Sequence, residues 1–593
     1  MKPAREWLAE LREVPVPPGL EVVEGRGGDP TLKVGSVLLH SRYRPREEAT
    51  RLIESAGIDP SRPVLVLGTG LGYPVLALAE LGVAVMAVEP DPAVARLAVE
   101  GPLGNSNVLL GVGDAEAVAA DPAFAEFAGR LPQVLVHPPT ASLHPQWTER
   151  MRALLASASL KRQRLSVAVV GPMYGGSLPI ASYLERAFKR LGHRTLLVDN
   201  SQAWELYDVA TRTVKTKQSA AELSAMLVNF LGEWSYARVA EFAPDICIVM
   251  AQAPVQKTFP GRLAKAGIAT AFWYVENWRH LPYWKEIAPY YDCFFHIQPG
   301  EFEEKLTAIG CASHAVVNTG CDPEIHKPVD LTPEEWGEFG CDISFAGAGY
   351  YNRKQVFAGL TDYNFKLWGV EWDARDLYAL VQNPEKRFTP EQFAKIVAAT
   401  KVNLNLHSSA THQGVDPECD AINPRVFEVA ACGGFQVCDP CKGLDAFFDF
   451  ETEVPVYRDL VELRGLIDRF LAHEDERKQY AARARERALR DHTYDRRAQQ
   501  MLDILLERCG NRILRKGITV QRSVGEVVER VGRDTDLGRY LASLPAEAPF
   551  ALEAIMERLT PDPLKRSHPE GVFAYMDEVR KMAEALFAAA DAS

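Results

Sequence analysis

The chain has 593 residues, 47% of them hydrophobic and 24% charged, the composition of a globular protein of several domains and not of a disordered one. Its 79 acidic side chains outnumber 66 basic ones, and the formal charge of −13 excludes general binding to the phosphates of nucleic acid. No apolar run reaches the length of a membrane span or a secretory leader, and ten scattered cysteines make no disulfide framework, so the expectation is a cytoplasmic protein.

Apolar β-branched runs alternate with amphipathic stretches from about residue 60 to residue 500. That alternation predicts an α/β fold of parallel sheets covered by helices on both faces. The pattern restarts at LSVAVVGPMYGGS and again at CDISFAGAGYYNRK, which divides the chain into 1–160, 161–330 and 331–500. Residues 157–164, ending in the basic KRQR, are expected to be a solvated linker. Beyond these, 501–593 is rich in Ala, Leu, Glu and Arg and is expected to be helical and to pack back across the sheets.

In the first unit, VLVL leads into Gly68-Thr-Gly70-Leu-Gly72, a turn whose free N–H groups can face an anion or a ribose. Glu89 ends the next strand, 21 residues after Gly68, where a carboxylate can accept from both ribose hydroxyls, and Asp114 follows the third strand. Together these residues resemble the class I methyltransferase nucleotide-binding core, which implies S-adenosylmethionine as an alternative ligand. The amino-methyltransferase motif is replaced by VHPPTAS, with His137 before the two prolines. LLHSRYRPREEATRLIES resembles a segment of Maf-type flagellin glycosyltransferases, a likeness over about the first 150 residues that implies sugar transfer to a protein such as flagellin.

The second unit opens with Gly171, Gly175 and Gly176 at the carboxyl end of its first strand, where open α/β sheets bind ligands. Its WYVENWR strand end presents Glu276 as a carboxylate for a catalytic base, with Trp278, His280 and Tyr283 as an acceptor wall. In the third unit Arg353 and Lys354 start a helix, a cationic pair suited to a departing nucleoside diphosphate. His407 follows the strand KVNLNL. Asp420 and Glu428 bracket Asn423, Pro424 and Arg425, with Arg425 and Glu428 sharing one helix face, and Gly433 permits a tight exit.

VVNTGCDPEIHKP resembles the crossover of GT-B glycosyltransferases, and the Asp420–Glu428 stretch resembles the E-x7-E region of the family-four group, with Asp420 in place of the first Glu. VMAQAP, WYVEN, VNLNLH, NPRVFEVAACGGF and HTYDRR together resemble the CgeB family of spore-maturation-type glycosyltransferases over about 165–500. The resemblance implies three Rossmann-like domains, the last two a GT-B pair, using a UDP-, GDP- or CMP-sugar donor without a required metal. It implies that Glu428 holds the ribose while Asp420 and His407 face the sugar. A flagellin-like protein or a surface polysaccharide is the implied acceptor. A bifunctional methyltransferase and a non-catalytic scaffold remain as alternatives. Cys438-Asp-Pro-Cys441 is expected to be a coincidental C-x-x-C, since a zinc site needs further ligands, and Asp534-Thr-Asp536 a solvated turn.

Overall fold

Strands made almost wholly of Val, Ile, Leu and Ala must be covered on both faces, and helices do this for three separate parallel sheets. The structure, a computed structural model, describes residues 1–383, 387–409, 411–516, 524–546, 548, 550, 552–556 and 558–591. The chain divides into two compact units, Met1–Gly517 and Ile518–Ser593.

The first sheet runs Lys2–Pro3, Leu109–Val112, Val85–Glu89, Val64–Leu67, Gln133–Val136, parallel except for its antiparallel first edge. A small antiparallel sheet, Leu20–Val23, Thr31–Val34 and Val37–Leu38, was not anticipated, because its strands are too short to show a period. It packs Leu20, Leu32 and Leu39 against Leu71 and Tyr73 and so lids the glycine turn.

The second sheet is fully parallel, in the order Arg194–Val198, Ser166–Val170, Ile246–Met250, Ala269–Tyr274, Cys293–His296, His314–Val316. The third is also parallel, in the order Val381–Gln382, Phe365–Trp368, Cys341–Ala346, Thr400–Asn405, Gln436–Cys438. In each, the chain leaves the first strand toward one edge and later returns to its other side. The loops after Ser166–Val170 and Cys341–Ala346 therefore splay open, and a crevice forms there.

Two boundaries differ from expectation. Residues 157–160 are not linker: they end the helix Pro145–Leu160, with Ser157, Ser159 and Leu160 buried. Position 501 falls inside the helix Tyr494–Lys516, which lies against Pro145–Leu160, against Ser177–Arg190 and against the strand Ala269–Tyr274. Its Arg512 bonds Asp292 at 2.9 Å, and Glu507 accepts from Arg150 at 2.5 Å. The chain passes between the second and third sheets twice, and the two passages pair: the Cys321 N–H donates to the His492 carbonyl and the Tyr494 N–H to the Cys321 carbonyl, both at 2.9 Å. A Cβ at Gly320 would lie 2.5 Å from the His492 carbonyl oxygen, so only glycine fits there.

In the second compact unit the helices Val524–Val531, Asp536–Ala542, Leu552–Met556 and His568–Asp591 enclose a core of Val524, Val527, Val528, Leu541, Ile555, Leu559 and Phe573. Asp534 and Asp536 are exposed beside Thr535, which caps its helix by accepting from the Gly538 N–H. Among the described residues no helix is long and apolar enough to cross a membrane.

Candidate functional site

The carboxyl ends of the second and third sheets face one another across a cavity of about 850 Å³. One side is built by the residues just past the strand Ala269–Tyr274, namely Val275, Glu276, Asn277, Arg279 and His280, together with Gln252. The other side is Tyr350 and Tyr351 from the loop after Cys341–Ala346, and Ser408, Ser409, Thr411, His412, Asp416 and residues 418–424 from the loop after Thr400–Asn405.

Glu276 lies on the cavity, half-buried, with no hydrogen-bond partner among the described residues. Burial raises its carboxyl from 4.5 to about 7. A carboxyl of that basicity, unpaired and facing open space, can take a proton from a bound hydroxyl near neutral pH.

Asp420 also lines the cavity, and its carboxylate is engaged across it. It accepts from Arg279 Nη1 at 3.0 and 2.9 Å and from Gln298 Nε2 at 2.6 Å, both on the opposite sheet. Arg279 in turn stacks over Trp278. These bonds make Asp420 a clamp across the cleft. Replacing Arg279 by Ala should cost about 1 kcal/mol, since solvent screens a half-exposed guanidinium, and should raise the radius of gyration measured by small-angle scattering.

The other expected residues divide. Asn423 lines the cavity, its Nδ2 donating to Asn405 Oδ1 at 2.9 Å. Arg353 does not reach the cavity. Its Nε donates to the Leu406 carbonyl at 2.9 Å and its Nη1 to the Ala348 carbonyl at 3.0 Å, so it ties together from behind the two loops that line the site. Burial lowers it to about 10. Neighbouring Asn352 reinforces the tie, donating to the His407 carbonyl at 2.8 Å and accepting from the Ser409 N–H at 3.0 Å. Lys354 turns away to the exposed Asp373, so the cationic pair expected at a diphosphate is split.

Glu428 is 3% exposed, ion-paired with Arg425 as the i, i+3 spacing predicts, and 3.7 Å from His326 Nε2. It is not among the residues that line the cavity, which ends at Pro424, the residue before its own helix. Arg425 lies over Phe393 and donates to the Ala346 carbonyl at 3.1 Å. Gly433, at φ +79°, turns the chain beside Pro328. His407 is 1% exposed and bonds Asp439 at 2.7 Å instead of facing the cleft. Gly171, Gly175 and Gly176 come after the strand Ser166–Val170 without lining the cavity. Gly175, at φ +110°, gives room to Gln252, whose Oε1 is 3.1 Å from the position of a Cβ there. Trp278 is packed on Phe302, and Tyr283 gives no surface to the cavity but accepts from the Gln252 N–H at 3.1 Å.

Sequence reasoning missed Gln252, Arg279 and Gln298. Gln252 sits in VMAQAP at φ +63°, a strained backbone for a residue with a side chain, of the kind that collects at ligand sites. It also missed the surroundings of the C-x-x-C: His407 and Cys419 stand beside Cys441, so partners exist in space that no local spacing shows.

Protein groups approach the glycine turn of the first sheet closely, beside a cavity of about 200 Å³ lined by His40 and His137. Gly68, Gly70 and Gly72 do adopt positive φ, 84°, 50° and 93°, but a Cβ at each would overlap Thr140, His40 and Leu103. The Thr69 N–H and hydroxyl donate to Glu89 at 2.7 and 3.0 Å, and the Leu71 N–H donates to His40 Nε2 at 2.8 Å. His137 bonds the Leu39 carbonyl at 2.9 Å and Thr140 at 2.8 Å. Asp114 caps the helix Ala115–Ala119. The groups assigned to a ribose or to S-adenosylmethionine are thus already partnered.

Burial raises Glu89 from 4.5 to about 7, so the folded chain holds a proton there that the unfolded chain releases. The stabilisation is complete below about 4.5 and is lost as pH rises through 7. Relative to Glu89→Gln, the wild type should lose up to about 3 kcal/mol between pH 5 and pH 8, read from denaturant unfolding at each pH.

Residues 353–503 match the Glycosyl transferase-like family. The match begins after the strand Cys341–Ala346 and after Tyr350 and Tyr351, takes in the cavity-lining loop that follows Thr400–Asn405, and runs on into the helix Tyr494–Lys516. Among curated proteins none matches the sequence. Similar solved structures include sucrose-phosphate synthase from Thermosynechococcus elongatus, 15% identical, covering 57% of this chain and 97% of that one at TM-score 0.41. A glycosyltransferase from Rickettsia africae is 13% identical, covering 59% of this chain and 99% of that one, also at 0.41. Anabaena Alr3699/HepE in complex with UDP and glucose is 11% identical, covering 57% and 98%, at 0.39. The α/β class expected from the sequence is the one observed, with parallel sheets covered by helices and a helical C-terminal region.

Proposed function

We propose that the chain transfers a glycosyl group from a nucleotide-sugar to an acceptor hydroxyl in the cleft between the second and third sheets. The observation that carries the reading is Glu276, an unpartnered carboxyl raised to about 7, facing the loops of a glycosyltransferase-like region across an 850 Å³ cavity. Glu276 removes the acceptor proton as the acceptor oxygen attacks the anomeric carbon and the bond to the donor's nucleotide breaks, so that UDP, GDP or CMP departs and the anomeric centre inverts. Ser408, Ser409, Thr411 and His412 meet the donor's phosphates, and the positive charge of Arg353 behind their loop favours the departing anion. Arg279, Gln298 and Asp420 hold the two sides together and keep water from competing for the donor.

The acceptor is a protein of the flagellin kind or a surface polysaccharide, consistent with the Maf-type and CgeB likenesses of the sequence. The test is titration calorimetry with UDP-, GDP- and CMP-sugars, followed by proton NMR of the anomeric product. Binding of one class with inverted product supports the reading. Absence of binding across the panel overturns it in favour of a scaffold, and retained stereochemistry removes Glu276 as base.

A further inference from the structure

His407, Cys419 and Cys441 come from three separate loops: the end of the strand Thr400–Asn405, the cavity-lining loop before Arg425, and the turn after Gln436–Cys438. A ring nitrogen of the histidine and the two Sγ atoms all lie within 4.8 Å of one another. The two sulfurs are 3.3 Å apart. The imidazole is 1% exposed and Cys441 7%.

One observation gives the group a direction. His407 Nδ1 and the His407 backbone N–H both meet Asp439 Oδ1, at 2.7 and 2.8 Å, which fixes the ring and leaves the lone pair of Nε2 for another partner. Nε2 is buried and has none in the protein. A buried imidazole nitrogen without a partner costs free energy, and polar groups so placed are rarely left that way. A carboxylate holding one imidazole nitrogen while the other is presented beside two thiols is the arrangement that orients a metal-binding histidine. Thiolate sulfur with imidazole nitrogen is a soft donor set that selects zinc-class cations over magnesium or calcium.

We propose that His407 Nε2, Cys419 Sγ and Cys441 Sγ bind a thiophilic divalent cation of the zinc class, with Asp439 as the positioning residue for His407. Binding exchanges the two thiol protons for the cation. Cys419 borders the cavity and precedes Asp420, so the cation pins the loop that supplies one side of the cleft. The proposal goes beyond the transferase reading and stands whether or not the chain transfers sugar.

The full-length chain, purified without chelator, should carry about one zinc per molecule by inductively coupled plasma mass spectrometry, and less than about a tenth of that in a Cys419→Ser/Cys441→Ser double variant. Exchange of zinc for cobalt in the wild type should give tetrahedral ligand-field bands with thiolate-to-cobalt charge transfer, a readout that needs no variant to fold. Asp439→Asn should weaken cobalt binding by about 10- to 100-fold. The proposal is overturned if the wild type retains neither zinc nor cobalt and Cys419 and Cys441 are recovered as a disulfide or as two freely titrating thiols. It is equally overturned if cobalt binds with an all-oxygen spectrum.

Discussion

Glu276→Gln should lower the rate of glycosyl transfer by about 10²- to 10⁴-fold while donor affinity changes less than about twofold. Gln keeps the volume and the polarity of the side chain and loses only the ability to take a proton. The residue makes no hydrogen bond among the described residues, so the substitution breaks nothing in the fold. The pH profile separates this from a binding defect. The active form is the carboxylate, so the wild-type rate should fall as pH drops through about 7, and the variant's residual rate should show no such acid limb. An unchanged turnover in the variant, measured with saturating donor, would remove Glu276 from the reaction.

Arg353→Leu should cost about 3 kcal/mol of stability and abolish donor binding together. The guanidinium is 8% exposed and its two bonds reach the carbonyls of Leu406 and Ala348. Removing it takes the donor from the buried Leu406 carbonyl, leaves the half-buried Ala348 carbonyl only the Tyr350 N–H, and releases two loops that carry Tyr350, Tyr351, Ser408 and Ser409 to the cavity. Lys354→Ala supplies the contrast. Its ammonium pairs with an exposed carboxylate away from the site, so stability and donor affinity should both stay at wild-type values. Calorimetry of donor binding and thermal unfolding of both variants check the pair of statements.

Strands read well from the sequence because continuous apolar runs such as VAVV and ICIVM have one explanation, burial on both faces. The Arg425–Glu428 pair read well because its spacing is local. The failures depend on contacts distant in sequence. Arg279 meets Asp420 across 141 positions, and Cys419 meets Cys441 across 22 that include a helix and a strand. Lys354 looked equivalent to Arg353 until helix geometry pointed them in different directions. The glycine turn of the first sheet was correctly placed, but its emptiness was assumed, and His40 arrives from a segment with no strand or helix period of its own.

The helix Tyr494–Lys516 fastens the first sheet's helix Pro145–Leu160 to the second sheet, while the third is joined through the paired passages at Cys321 and His492 and through the hold of Arg279 and Gln298 on Asp420. Widening the cleft therefore requires the bonds of Arg279 and Gln298 to Asp420 to break first. What stays joined once they break is two parallel stretches of chain held by two backbone bonds beside Gly320, so the clamp residues, more than the chain crossings, set how tightly the cleft is held.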